Sequence, residues 1–313
     1  MLILNIFYFL ILLALIWFGS GLVVNSIDRL RKKIRYASFV MSFFILGMLT
    51  SLPELAIGLN AVSANQPEIF VGNLLGATAV IFLFIIPLLA ILGNGIKFQN
   101  KLSNPSFVAI LLVCLLPAFF ILDKKITSLE AFSMVMSYVF AAFLMQNKYH
   151  LLNTAKKQKS LSLKKYSFLD IIKILSGIIL IFLASQFIVE KTLYFSQYFQ
   201  IAPFYISLMT LSLGTNLPEI SIAIRAIISK KKEIALGNYL GSAAINTFLF
   251  GFLSILNNGE VLTVNNFLIT FSFIALGIIL FYYFSKSHNK ISRKEGLLLL
   301  FGYILFCIFE LHK

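Results

Sequence analysis

Charge is what this sequence has least of. Asp, Glu, Lys and Arg supply 12% of its 313 residues, about half of the ~25% usual in soluble domains. A soluble globule of this length is excluded, because too few charged side chains exist to cover its surface. No polar stretch is long enough to fold as a separate soluble domain. Cysteine is nearly missing as well. Cys114 and Cys307 both sit inside apolar runs, which excludes a disulfide framework and a thiolate metal site and leaves packing as their role. The three histidines are scattered without ligand spacing. Neither HExxH nor GxSxG occurs, nor a pair of membrane-embedded aspartates, so the usual marks of an intramembrane enzyme are absent. No cofactor is expected. Acidic residues are the scarcer sign, 12 against 26 basic ones.

What fills the sequence is apolar. Hydrophobic residues make up 59%, with 33 phenylalanines, and mean hydropathy is +0.93. Runs near the ~20 residues that cross a bilayer recur throughout. Ten spans are predicted, at about 3–25, 37–63, 68–93, 105–122, 128–147, 168–191, 203–229, 234–256, 262–285 and 295–311. Residues 1–25 have no preceding positive charge, are too long for the core of a cleaved signal, and are followed by Arg29, Arg31, Lys32, Lys33 and Arg35. They read as a first span that starts outside. With that orientation 20 basic residues fall in inner connections and 4 outside, while Lys173 and Arg225 sit near the inner ends of their spans. The +14 net charge is thereby a topology signal that meets the lipid bilayer, and it implies no nucleic acid. Both termini are expected outside.

The longest polar connection, 147–167, separates two sets of five spans. Five is odd, so the second set enters from the opposite side, the layout of an inverted repeat. The expected fold is an all-α membrane protein. Its first five-helix half is 1–147, with a repeat at about 40–93. A basic cytoplasmic linker follows at 148–167, then a second half at 168–313 with a repeat at about 205–256.

The repeat is visible directly. Shifted by 165, residues 50–77 meet 215–242 without a gap, and 12 of 28 positions are identical. The matches include Thr50, Pro53, Glu54, Gly72, Asn73 and Gly76 with Thr215, Pro218, Glu219, Gly237, Asn238 and Gly241. "TSLPE" and "TNLPE" place a helix breaker beside a carboxylate inside an apolar run. Proline cannot donate to the carbonyl four residues back, so the Leu49 and Gly214 carbonyls are released. Such carbonyls are tolerated at membrane depth only against protein or a wet cavity. Thr50 and Glu54 share a helix face, as do Thr215 and Glu219. Carboxylate, hydroxyl, amide and carbonyl oxygens at one depth are the ligand set of a hard cation such as Ca²⁺ or Na⁺. Glu54 and Glu219 are also expected to be the only acidic residues deep in any span, where an ionisable group is usually functional. Asn73 and Asn238 are expected to line that site or to bond helix to helix beside it. The four glycines are read as close-packing positions.

These stretches resemble the alpha repeats of the calcium/cation antiporter superfamily, most closely the prokaryotic sodium/calcium exchangers. Two motif copies at the right spacing carry the resemblance, which spans the whole ten-span layout. It implies a multi-pass protein of a prokaryotic plasma membrane that exchanges Na⁺ for Ca²⁺ by alternating access, with no obligatory protein partner. It also implies that Glu54 and Glu219 bind the ions. Thr50, Ser51, Thr215 and Ser242, and the backbone carbonyls of Gly47 and Ser212, match family ligand positions. Asn216 replaces the serine of the second motif, and Asn246 stands where many exchangers carry aspartate. Ala77, Thr78 and Ile81 replace polar family positions in the first repeat, Ala243 replaces an asparagine in the second, and Leu49 replaces a glycine. The first-repeat side is therefore expected to be poorer in oxygen, with two carboxylates to balance one Ca²⁺ and fewer ligands for Na⁺. Proton in place of sodium as the coupling ion, and a transport-degenerate structural or sensory role, stay open at this point.

Overall fold

The computed structural model describes residues 2–31, 42–97, 104–149, 168–228, 232–263, 265–286 and 290–312. The chain is mostly helical. In chain order the helices are α1 (Leu2–Arg31), α2 (Ser42–Thr50), α3 (Leu52–Ser63), α4 (Pro67–Leu92), α5 (Asn104–Phe120) and α6 (Ser128–Tyr149). They continue with α7 (Phe168–Phe199), α8 (203–215), α9 (Leu217–Ile228), α10 (Lys232–Leu256), α11 (Leu268–Lys286) and α12 (Arg293–Leu311). Most of the linker expected at 148–167 lies outside the described residues.

Among the described residues eight helical stretches are long and apolar enough to cross a membrane, and the α2–α3 pair, bent by 43°, makes a ninth if taken as one span. The span expected at 295–311 is present as α12, which carries Arg293, Lys294, Glu295 and Glu310 and is not among those eight. The chain is a multi-pass integral membrane protein.

The motif breaks each long helix in the same way. α2 opens with a π-helical turn at Ser42–Leu46, and α8 carries one at Ser207–Leu211, 165 residues later. The backbone then departs from helical dihedrals at Ser51 (φ −87°, ψ 7°) and at Asn216 (φ −87°, ψ 8°). Pro53 follows in the first turn of α3 and Pro218 in that of α9, where a missing N–H costs nothing.

Burial identifies the centre. In α4 and α10, the second helices of the two repeats, 83% and 78% of the span is inside the protein, against 28% for α1 and for α7. Glycine permits the crossings there. A Cβ on Gly76 would strike the carbonyl oxygen of Leu208, and one on Gly241 that of Phe43. Positions 43 and 208 are themselves 165 apart, so one contact is made twice.

Two short strand pairs join the halves. β1 (Ile96–Lys97) pairs with β4 (Lys290–Ile291), and β2 (Lys125–Ile126) with β3 (Val261–Leu262), both antiparallel. Adding 165 to 96 and 126 gives 261 and 291, so the Ile96–Ile291 pair maps onto the Ile126–Val261 pair. The correspondence read over 50–77 therefore runs in space from the π turns to the strands. It fails at Ile81–Ile85, a second π turn in α4, because residues 246–250 of α10 are plain α-helix.

Candidate functional site

Four segments meet at the centre: the breaks α2–α3 and α8–α9, and the middles of α4 and α10. Each break supplies a threonine that reaches the other half. Thr50 Oγ1 donates to Asn238 Oδ1 at 3.2 Å, and Thr215 Oγ1 donates to Asn73 Oδ1 at 3.3 Å. These are one bond and its repeat image, and all four side chains are fully buried.

The carboxylates stand beside these bonds. Glu54 and Glu219 are both fully buried. The Glu54 carboxylate lies within electrostatic reach of Glu219 and beside the Thr215 hydroxyl, yet neither of its oxygens has a hydrogen-bond partner. Glu219 is held more firmly. Ser242 Oγ donates to its Oε1 at 3.0 Å, and the Tyr239 hydroxyl donates to its backbone carbonyl at 3.2 Å. Only Oε2 lacks a partner. Ser51 Oγ stands 3.1 Å from Ser242 Oγ, which extends the polar contact across to the first repeat.

The backbone carbonyls of Gly47 and Ser212 are the local acceptors of the two breaks. Gly47 O receives Ser51 N at 3.2 Å and Ser51 Oγ at 3.0 Å, with Thr50 Oγ1 3.3 Å away. Ser212 O receives Asn216 N at 3.2 Å and Asn216 Nδ2 at 2.7 Å, with Thr215 Oγ1 3.3 Å away. A cation drawing on either carbonyl shares it with these donors. Asn216 then keeps its Oδ1 without a partner, and so do the Nδ2 atoms of Asn73 and Asn238. Asn246, one helical turn beyond Ser242, is 1% exposed, with both amide atoms unpartnered.

This accumulation is unusual. Buried polar atoms are almost always paired, and an unpaired one costs about 1–3 kcal/mol, more if charged. Two neighbouring buried carboxylates call for a bound cation or a proton for the same reason. The donor set fits a hard cation. It consists of oxygens, and two carboxylates neutralise one divalent ion. Among the described residues no group of three or more His, Cys, Asp and Glu side chains could hold a metal, so neutral oxygens from Thr50, Ser51, Thr215, Asn216 and Ser242 would have to complete the shell.

All twelve residues singled out in the sequence, Gly47, Thr50, Ser51, Glu54, Asn73, Ser212, Thr215, Asn216, Glu219, Asn238, Ser242 and Asn246, lie on these four segments. Thr78 turns back onto its own helix, donating to Leu74 O at 3.1 Å. Two residues escaped the sequence reading. Tyr239 occupies the position of Leu74 in the other half, and the shift by 165 exposes that asymmetry. The other is Glu310, the last residue but one of α12, which is buried at a helix end and not deep in a span. It is 3% exposed and accepts from Thr270 Oγ1 at 2.5 Å. A tertiary contact between α11 and α12 buries it, and no local pattern announces that contact.

Known proteins are similar to this chain in sequence and in fold. An uncharacterized membrane protein of Methanocaldococcus jannaschii is 25% identical over 97% of each chain. A putative antiporter, CaxA, of Alkalimonas amylolytica is 24% identical over 84% of this chain and 82% of its own. The sodium/calcium exchanger MaX1 of Methanosarcina acetivorans is 23% identical over 96% and 97%. A solved structure of the sodium-calcium exchanger NCX_Mj has the same fold, with a TM-score of 0.70 at 21% identity over 97% of this chain and 98% of that one. The family model for the sodium/calcium exchanger protein matches residues 4–146 and 170–311, one block in each half. The chain belongs to the sodium/calcium exchanger family.

Proposed function

We propose that this protein is a secondary antiporter that exchanges Na⁺ for Ca²⁺ at the Glu54–Glu219 site. One observation carries the reading: two buried carboxylates, at equivalent points of a repeat, lie within electrostatic reach of each other with three of their four oxygens unpartnered. The residues committed to the ions are Glu54, Glu219, Thr50, Thr215, Ser51, Ser242, Asn216 and the Gly47 and Ser212 carbonyls, with Asn73, Asn238 and Asn246 beside them. The ions are cargo, and no cofactor or further protein takes part. Ten membrane-crossing helices form two inverted five-helix halves, 1–147 and 168–313. The termini are outside, and the 148–167 linker is cytoplasmic. Exchange follows when the ion-loaded site switches its opening from one face to the other and both ions use the same two-state element. The doubled π turns and helix breaks support such an element.

A second reading replaces Na⁺ by H⁺. It is favoured by the first-repeat side, where Ala77 and Ile81, the repeat counterparts of the oxygen-bearing Ser242 and Asn246, offer sodium no ligand. Purified protein in sealed vesicles separates the two. Vesicles loaded with Na⁺ and diluted into Na⁺-free medium should accumulate Ca²⁺. Accumulation driven by a pH gradient with no Na⁺ present would select H⁺, and none under either gradient would leave a structural or sensory role.

A further inference from the structure

Among the described residues, Glu54, Glu219 and Glu310 are the only buried Asp, Glu, Lys or Arg side chains. Glu310 is bonded to Thr270 on α11, outside the four central segments. The charge that bears on Glu54 is that of Glu219. With both carboxylates ionised the site holds two negative charges, and the described residues bring no buried cation against them. Asn246 adds an unpartnered amide and no charge. Its repeat counterpart Ile81, and Ala77 one turn before it, are fully buried and apolar, so those two positions add neither charge nor oxygen.

A buried site that moves its opening from one face to the other passes through a form closed to both. There no bulk water solvates a net charge, and an uncompensated one is costly. One Ca²⁺ cancels two carboxylates, and so do two monovalent cations. One monovalent cation would leave a negative charge, and three would leave a positive charge with no counter-ion. We propose that the exchange is electroneutral, two monovalent cations for each Ca²⁺. The inference rests on the exchange reading above and deepens it, and the count is the same for either coupling ion. Two positive charges cross in each direction, so membrane potential does no work on the cycle. A carrier of three monovalent ions per Ca²⁺ moves one net charge per cycle and is driven by potential.

The test uses the purified full chain in sealed vesicles under a roughly tenfold Na⁺ gradient, or the equivalent pH gradient if that alone drives flux. The Ca²⁺ ratio at which net flux stops is measured with the potential clamped by K⁺ and valinomycin, at zero and at about 60 mV. The ratio should be about a hundredfold, the square of the driving ratio, at both potentials. A shift of about tenfold between the two, the worth of 60 mV on one charge, would overturn the proposal. Asn246→Asp adds a negative charge one helical turn beyond Ser242 and should make the stopping ratio depend on potential. An active Asn246→Asp protein indifferent to potential would show that the carboxylates do not set the count, and would overturn the proposal too. Ca²⁺ flux under neither gradient would overturn the exchange reading itself, whereas a potential-dependent ratio in the wild type overturns this inference alone.

Discussion

Ser242 donates to Glu219, whereas its repeat counterpart Ala77 has nothing to donate to Glu54. Tyr239 donates to the Glu219 carbonyl, whereas its counterpart Leu74 is apolar. The two carboxylates are therefore equivalent by repeat and unequal by support. Glu219 is held by its neighbours, whereas in the proposed site Glu54 would be positioned by the ion itself. Removing the Tyr239 hydroxyl tests the support. Tyr239→Phe keeps the ring and deletes one buried hydrogen bond worth about 1 kcal/mol, so apparent Ca²⁺ half-saturation should rise roughly fivefold with maximal flux little changed. A loss of maximal flux at unchanged half-saturation would mean that the hydroxyl serves the conformational switch and not the ligand. Restoring oxygen on the poor side tests the converse. Ala77→Ser with Ile81→Asn should raise apparent Na⁺ affinity or the sodium dependence of Ca²⁺ flux, and unchanged sodium dependence in an active double variant would show that these positions do not limit transport. The residues themselves were legible because a carboxylate and a proline inside an apolar run conflict with their surroundings. The unequal hydrogen bonding was not, because it depends on which helix faces which.

Among elements, the paired breaks have the clearest physical cause. Pro53 and Pro218 forbid a continuous helix, and the π turns upstream shift the backbone that Gly76 and Gly241 then approach. Gly76→Val would drive a methyl-bearing carbon into the Leu208 carbonyl, a backbone atom that cannot step aside. The expected outcome is a cost of about 1–3 kcal/mol or more, read as reduced yield and a lower thermal midpoint in detergent. Gly302→Ala is the matched control, because its added carbon would meet only the Leu83 side chain at an ordinary 3.6 Å. Equal stability of the two variants would contradict the close crossing. Proline marked the breaks in the sequence. The π turns went unseen because an inserted residue shifts the phase of a periodic pattern, and helices that are apolar on nearly every face have no such pattern to shift. The identities Ser42–Ser207 and Leu46–Leu211, under the same shift by 165, are the signal that points to them.

For the whole molecule, two halves are tied together at the centre by Thr50–Asn238 and Thr215–Asn73 and at the periphery by the two strand pairs and the Lys125–Glu260 ion pair. The basic residues set the expected orientation. A cysteine introduced at Ser160 should resist membrane-impermeant labelling from outside intact cells, and efficient labelling there would reverse the topology. The multi-pass helical architecture was legible because hydropathy and an ungapped repeat are properties of the chain. The strand pairs and the burial of Glu310 were not, because each joins segments far apart in sequence. The central claim is that one cation is shared by Glu54 and Glu219, and Ca²⁺ flux through Glu54→Gln and Glu219→Gln in sealed vesicles tests it most directly. Glutamine keeps the shape and one acceptor oxygen and removes only the charge, so both variants should insert and fold as the wild type does. Each should lose Ca²⁺ flux by roughly tenfold or more, since a buried divalent ion then lacks half its neutralising charge. Flux near the wild-type rate in both single variants would contradict the shared-carboxylate account.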